Sequence, residues 1–256
     1  MRRETQNIVL VLLGGALLKI AVNGTYLRYV KPALQPWLIA AGTVMLVLAA
    51  VAIGRDIRTA RRAGGAVPAE AGHGHHDHGV HGGNAHLGRP PRSPWLLLLP
   101  VMAIFLVSPP ALGADTVNRA APRPPAAGDP AKSTAFPPLP AGDVVPMKIT
   151  DFVTRSAWDG TNALDNRAVR LTGFVVRDPA GAAYLARLVI TCCAADAWPV
   201  KARLAGVDTA VLRNDEWVDV VGTLVPGSAT QGNQYVPTLT ATDVHPVPAP
   251  ADPYEY

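Results

Sequence analysis

Three uninterrupted apolar runs lie within the first 112 residues, after which hydrophobic positions fall into short alternating stretches. The runs are "NIVLVLLGGALLKIAV" at residues 7–22, "PWLIAAGTVMLVLAAVAIG" at 36–54 and "PWLLLLPVMAIFLVSPPAL" at 94–112. About 20 helical residues cross a hydrocarbon core, so the pattern predicts three transmembrane helices, the first the shortest. Lys19 stands near the end of the first run, where its stem can reach the interface, and Trp37 opens the second. Pro100 predicts a kink in the third. A basic start before an apolar run also fits a secretory leader, but no small-x-small cleavage site follows the first run. Residues 111–114 resemble such a site, which would release the C-terminal part.

The alternating stretches predict a second, mainly β part at residues 147–246. "KITDFVTRSAW" reads as a helix. "AVRLTGFVVRDPAG" and "AAYLARLVITCC" read as strands joined at a turn over 178–181, and "PVKARLAG", "EWVDVVGTLVPG" and "QYVPTLTATDVHPV" as three more. Gly173 and Gly222 inside these strands suit sharp bends or bulges. Five strands in so short a segment predict a small OB-like barrel, with a β-sandwich as the competing architecture.

Composition supports the split. The chain is 49% hydrophobic and 16% charged, and its 25 prolines gather between residues 87 and 146 and near the C-terminus. Residues 113–146 therefore read as a Pro/Ala-rich linker of polyproline character, and 247–256 as a tail. Residues 147–256 hold nine Lys and Arg against twelve Asp and Glu, a net −3; the rest holds 14 basic and 7 acidic residues, a net +7. A net-negative β domain argues against nucleic acid as a partner, since phosphates need a basic face. The basic residues instead orient the chain. Arg2 and Arg3 precede the first span and Arg55, Arg58, Arg61, Arg62, Arg89 and Arg92 fill the 55–93 loop, against only Arg28 and Lys31 in the first interhelical loop. By the positive-inside rule the N-terminus and the 55–93 loop are cytoplasmic, and the β domain lies outside a multi-pass plasma-membrane protein.

Two stretches carry candidate metal chemistry. "HGHHDHGVHGGNAH" contributes His73, His75, His76, His78, His81 and His86, flexible imidazole donors for zinc or copper. The same composition also suits a polar low-complexity linker. Cys192 and Cys193, the only cysteines, stand side by side. In a regular strand they would face opposite ways, so a shared role requires the strand to end there, as "CCAADAWP" suggests. Three chemistries then stay open: a vicinal disulfide, a soft metal or metalloid held with Asp196 or His245 as further ligands, or a bond to a partner. The alternative is that one cysteine serves only as core. Nothing here marks an enzyme: there is no C-x-x-C, and His245 lies far along the chain.

"RETQNIVLVLLGGALLKIAVNGTYLRYVKPALQPWLIAAG", "ITCCAADA" and "DPYEY" together resemble the DUF1980 (YcgQ-like) family of permease subunits. Cys192, Cys193, Ala195 and Asp196 match its signature, and no catalytic role comes with them. The resemblance implies association with a multi-spanning permease of the YcgR type. The expected function is thus an integral membrane accessory subunit that binds a soft metal through its adjacent cysteines. The alternatives are an envelope thiol-redox protein and a purely structural assembly subunit.

Overall fold

The computed structural model describes residues 3–63, 110–120 and 136–256. Two compact units emerge: Met1–Asn23 with Leu34–Pro109, and Gly24–Ala33 with Pro110–Tyr256.

In the first unit, α1 (Arg3–Val22) and α2 (Gln35–Ala63) pack side by side. Gly14 and Gly42 make the close crossing: a Cβ on Gly14 would stand 3.0 Å from the Gly42 carbonyl, and one on Gly42 would stand 2.9 Å from Leu18. Of the three expected membrane spans, the described residues support one. Among the described residues one helix, Pro32–Thr59, is long and apolar enough to cross a membrane. The first run forms α1, whose apolar part, Gln6–Val22, is a shorter apolar helix. The third run falls almost wholly outside the described residues, as does the histidine stretch. Along α2 apolar side chains face outward, with Trp37 73% and Val44 57% exposed, an arrangement that water penalises.

The second unit is mainly β. Its strands are β1 (Val144–Pro146), β2 (Ala168–Arg177), β3 (Ala183–Val189), β4 (Trp198–Ala205), β5 (Trp217–Leu224), β6 (Thr238–Pro246) and β7 (Tyr254–Glu255). The five strands and the helix expected from alternation all form, the helix as Ile149–Trp158. Pairing runs β2–β5–β6–β4–β3, and β3 returns to β2, closing the five strands on themselves. All contacts in the ring are antiparallel except the β4–β6 seam.

Closure requires backbones to approach closely where the sheet turns. At the β5–β6 irregularity between Val221 and Gly222, a Cβ on Gly222 would lie 2.4 Å from the Thr240 carbonyl. β2 serves two neighbours along one edge, β1 at Ala168 to Arg170 and β3 at Phe174 to Arg177. Gly173 sits at the changeover, with Ile149 and the Ala186 carbonyl in the space of its missing side chain.

The core has two layers. Leu171, Val175, Leu185, Val218, Val220 and Leu239 point inward and meet Ile149, Phe152 and Val153 of the Ile149–Trp158 helix. Phe174, Val176, Ala186 and Leu188, on the other face of β2 and β3, are covered by Ala114, Val117 and Tyr254. Burial on both faces is local: the alternation of β2 and β3 gives way to consecutive buried residues at Phe174 to Val176 and at Leu185 and Ala186.

Two expected boundaries differ in the structure. Residues 113–146 contain α3 (Ala114–Arg119) and β1, both packed onto the β domain, besides residues 121–135 that lie outside the described part. The Ile149–Trp158 helix is therefore α4. Residues 136–142 are tied down through free carbonyls: Arg155 donates to Pro137 O (2.6 Å) and Arg167 to Pro140 O (3.1 Å) and Gly142 O (3.0 Å). Polyproline segments leave such carbonyls without internal partners. Residues 247–256, read as a tail, end in β7, where Tyr254 and Glu255 are buried. Both departures have one cause: elements of two to six residues are fixed by distant partners, which local periodicity does not report.

Glu255 is the strongest of those partners. Its carboxylate accepts the Ile149 amide (3.0 Å), the Thr150 amide (2.9 Å) and the Thr150 hydroxyl (2.5 Å) at the start of α4. Glu255→Ala leaves those amides unsatisfied, so urea unfolding of the full chain should show a loss of about 1–3 kcal/mol. Glu255→Gln, which keeps one acceptor oxygen, should lose less; equal stability of Glu255→Ala and wild type would remove the cap from the account.

Candidate functional site

β3 ends at Val189, and the Ile190 amide donates to Glu255 O (3.1 Å) as the last ladder-like bond before the chain turns. The turn is built by Asp196. Its Oδ1 accepts the Thr191 amide and its Oδ2 the Cys192 amide, each at 2.8 Å, while its own amide donates to Cys193 O at 3.0 Å. Ala194–Asp196 completes one 3-10 turn, and β4 begins at Trp198. An aspartate reaching back across five residues replaces the pleat with a closed turn, which lets neighbouring cysteines point the same way. Their sulfurs stand 3.7 Å apart as free thiols, Cys192 exposed and Cys193 half-buried. One ligand atom from each of Cys192, Cys193 and Asp196 falls within a 4.8 Å span.

A second segment braces the turn. Val30, in the loop Gly24–Ala33, forms an antiparallel bridge with Cys193: Ala194 N–H donates to Tyr29 O (2.7 Å) and Lys31 N–H to Cys192 O (3.3 Å). The Tyr254 hydroxyl donates to Arg28 O (2.9 Å) and accepts the Leu112 amide (3.3 Å). Lys31 Nζ sits 5.3 Å from the centre of the Tyr256 ring, and the Tyr256 hydroxyl bonds both Asp252 oxygens at 2.6 and 2.7 Å. The "DPYEY" ending thus holds the loop, the Leu112 segment and α4 together.

The electrostatics of the corner follow from Asp196. Its carboxylate beside the Cys192 thiol, reinforced by the Cys193 thiol, pushes the Cys192 pKa up to about 11. The same thiol contact, and then the amides of Thr191, Cys192 and Cys193, hold Asp196 below the usual carboxylate value despite some desolvation. The metal-free corner is therefore protonated on Cys192 and ionised on Asp196 at neutral pH.

Of the residues expected from sequence, Cys192, Cys193 and Asp196 converge, while His245 stands outside their cluster. It lies on β6 with its Nε2 2.7 Å from Asp243, and its side chain is 71% exposed. His73, His75, His76, His78, His81 and His86 fall outside the described residues. Sequence reasoning missed Val30 and the Asp252, Tyr254 and Glu255 set that positions the corner; the dense polar and aromatic content of "DPYEY" after a proline-rich stretch was the available signal.

Family models match the chain in both parts, DUF1980 N-terminal domain over residues 5–121 and DUF1980 C-terminal domain over 158–256. No curated protein and no solved structure matches it.

Because thiolate is the reactive form, alkylation of Cys192 in the metal-free chain should rise only as pH approaches about 11. Asp196→Asn removes the negative charge that disfavours thiolate, so the midpoint should move toward the ordinary cysteine value. Mass-resolved iodoacetamide kinetics across pH, comparing Cys193→Ser with Cys193→Ser/Asp196→Asn, read this directly; coincident profiles would contradict it.

Proposed function

Since the chain belongs to the DUF1980 family across both of its parts, we propose that it is a membrane-anchored accessory subunit whose β domain presents a soft-metal site, zinc or copper, to a separate permease of the YcgR type. The convergence of two thiols and a carboxylate at one exposed turn carries this reading. The outward-facing apolar side chains of α2 support the membrane anchor, with the β domain on the outer side as the distribution of arginines predicts. The histidine stretch at residues 73–86 is the second metal-binding element of the proposal, on the cytoplasmic side.

The five-strand ring, with its β4–β6 parallel seam, is read as an OB-like barrel. In this reading the cysteine turn joins the second and third barrel strands. The net charge of −3 on residues 147–256 disfavours a nucleic-acid role for the barrel. A thiol-redox role is disfavoured by the Asp196 carboxylate, which keeps Cys192 from the thiolate form that attacks a disulfide. The proposal assigns no reaction to the chain.

Zinc and copper(I) titrations of the purified, reduced full chain test it against Cys192→Ser/Cys193→Ser, both carrying asparagine at the six loop histidines. The thiol pair should bind at least one of the two metals about 10- to 100-fold more tightly than the double variant. Equal affinities for both metals would leave a purely structural assembly role as the better account.

A further inference from the structure

The distance between the sulfurs narrows which metal the corner suits. Two thiolates bound at about 2.3 Å to one tetrahedral zinc stand about 3.7–3.8 Å apart. Cys192 Sγ and Cys193 Sγ stand 3.7 Å apart before any ion is added. A linear two-coordinate cation such as copper(I) would need them about 4.6 Å apart, twice a bond of that length. A disulfide would need about 2.0 Å. The 3.7 Å thiol contact matches a tetrahedral bite and is shorter than a linear cation needs.

The remaining ligands follow from the same turn. Asp196 lies within the 4.8 Å span and supplies a third donor, an oxygen that suits a borderline dication better than a soft monovalent one. Its carboxylate is oriented by the Thr191 and Cys192 amides, the kind of outer support that ligating carboxylates receive. The nearest loop cation does not compete for the thiols, because Lys31 Nζ is placed over the Tyr256 ring. No fourth histidine, cysteine or acidic donor joins the cluster among the described residues, and Cys192 is exposed. Structural zinc sites close with four protein ligands, whereas three leave a position for an exchangeable donor.

We infer that Cys192, Cys193 and Asp196 form a three-ligand, open tetrahedral site for a zinc-class dication, built to exchange its ion with a donor that supplies the fourth ligand. The inference rests on the soft-metal reading above and narrows it to one coordination geometry. Binding releases the protons of both thiols to solvent, with no change of oxidation state.

Cobalt(II), the spectroscopic stand-in for zinc, tests it on the reduced full chain with asparagine at the six loop histidines. Expected are the intense visible bands of tetrahedral cobalt with thiolate-to-cobalt charge transfer, lost in Cys192→Ser and in Cys193→Ser. Asp196→Asn should weaken cobalt affinity about 10-fold or more, with far-ultraviolet circular dichroism checking that the fold persists. Added imidazole should shift the visible bands while the charge transfer remains, as an open fourth position requires. A weak octahedral spectrum, or bands indifferent to imidazole, would overturn the inference. So would tight copper(I) binding without cobalt or zinc binding, an outcome that leaves the broader soft-metal reading standing. If none of the three metals distinguishes wild type from Cys192→Ser/Cys193→Ser, both readings fall together.

Discussion

The carboxylate of Glu255, buried against the first turn of α4, ties β7 to the helix that packs on the β core. That helix begins at Ile149 with no side-chain cap of its own, since Lys148 occupies the N-cap position. Its first amides point into the domain, where an unmet donor is costly. Glu255 meets two of them from 106 and 105 residues away and adds a negative charge at the positive end of the helix dipole. A nearby side chain would have stabilised the helix alone. A distant one makes α4, β7 and β3 a single cooperative unit, because Glu255 also pairs with Val189 and accepts the Ile190 amide. Arg187, 3.7 Å from the same carboxylate and stacked 4.8 Å from the Trp217 ring, compensates its charge within the unit.

This unit determines where the cysteines stand. Ile190 is the residue held by Glu255, and Thr191 is the residue held by Asp196. The fixed end of β3 and the start of the Asp-clamped turn are therefore consecutive residues, so little backbone freedom separates the barrel from the thiols. Tyr254 extends the support to Arg28, and Val30 pairs with Cys193. The loop between α1 and α2 thus reaches the corner through backbone hydrogen bonds. Such bonds depend little on side-chain identity, which suits a brace whose purpose is position.

The parts that were legible from sequence are those whose signal is local. Five strands and one helix showed through alternation and length, and the turn over residues 178–181 through Asp-Pro and a glycine that adopts a positive φ of 86°. The thiol pair and Asp196 were legible because they lie within five residues of one another. β1, α3 and β7 were not, since each is short and is held by residues far along the chain. His245 was a candidate ligand on chemical type alone, and it stands apart from the grouped Cys192, Cys193 and Asp196, on β6 with Asp243 beside it.

Adjacent cysteines gain from their turn a property that spaced ones do not share. In a strand the pair would face opposite sides of the sheet, and a disulfide between the neighbours would close an eight-membered ring through the intervening peptide. Asp196 prevents the first by ending the strand, and it restrains the second by favouring the protonated thiol at Cys192. The same carboxylate is then already placed to add an oxygen ligand once a cation neutralises the local charge. A dication bound to both sulfurs reverses the local electrostatics, since a coordinated thiol loses its proton outright. In the proposed site one aspartate would thus keep Cys192 protonated without metal and add an oxygen ligand with it.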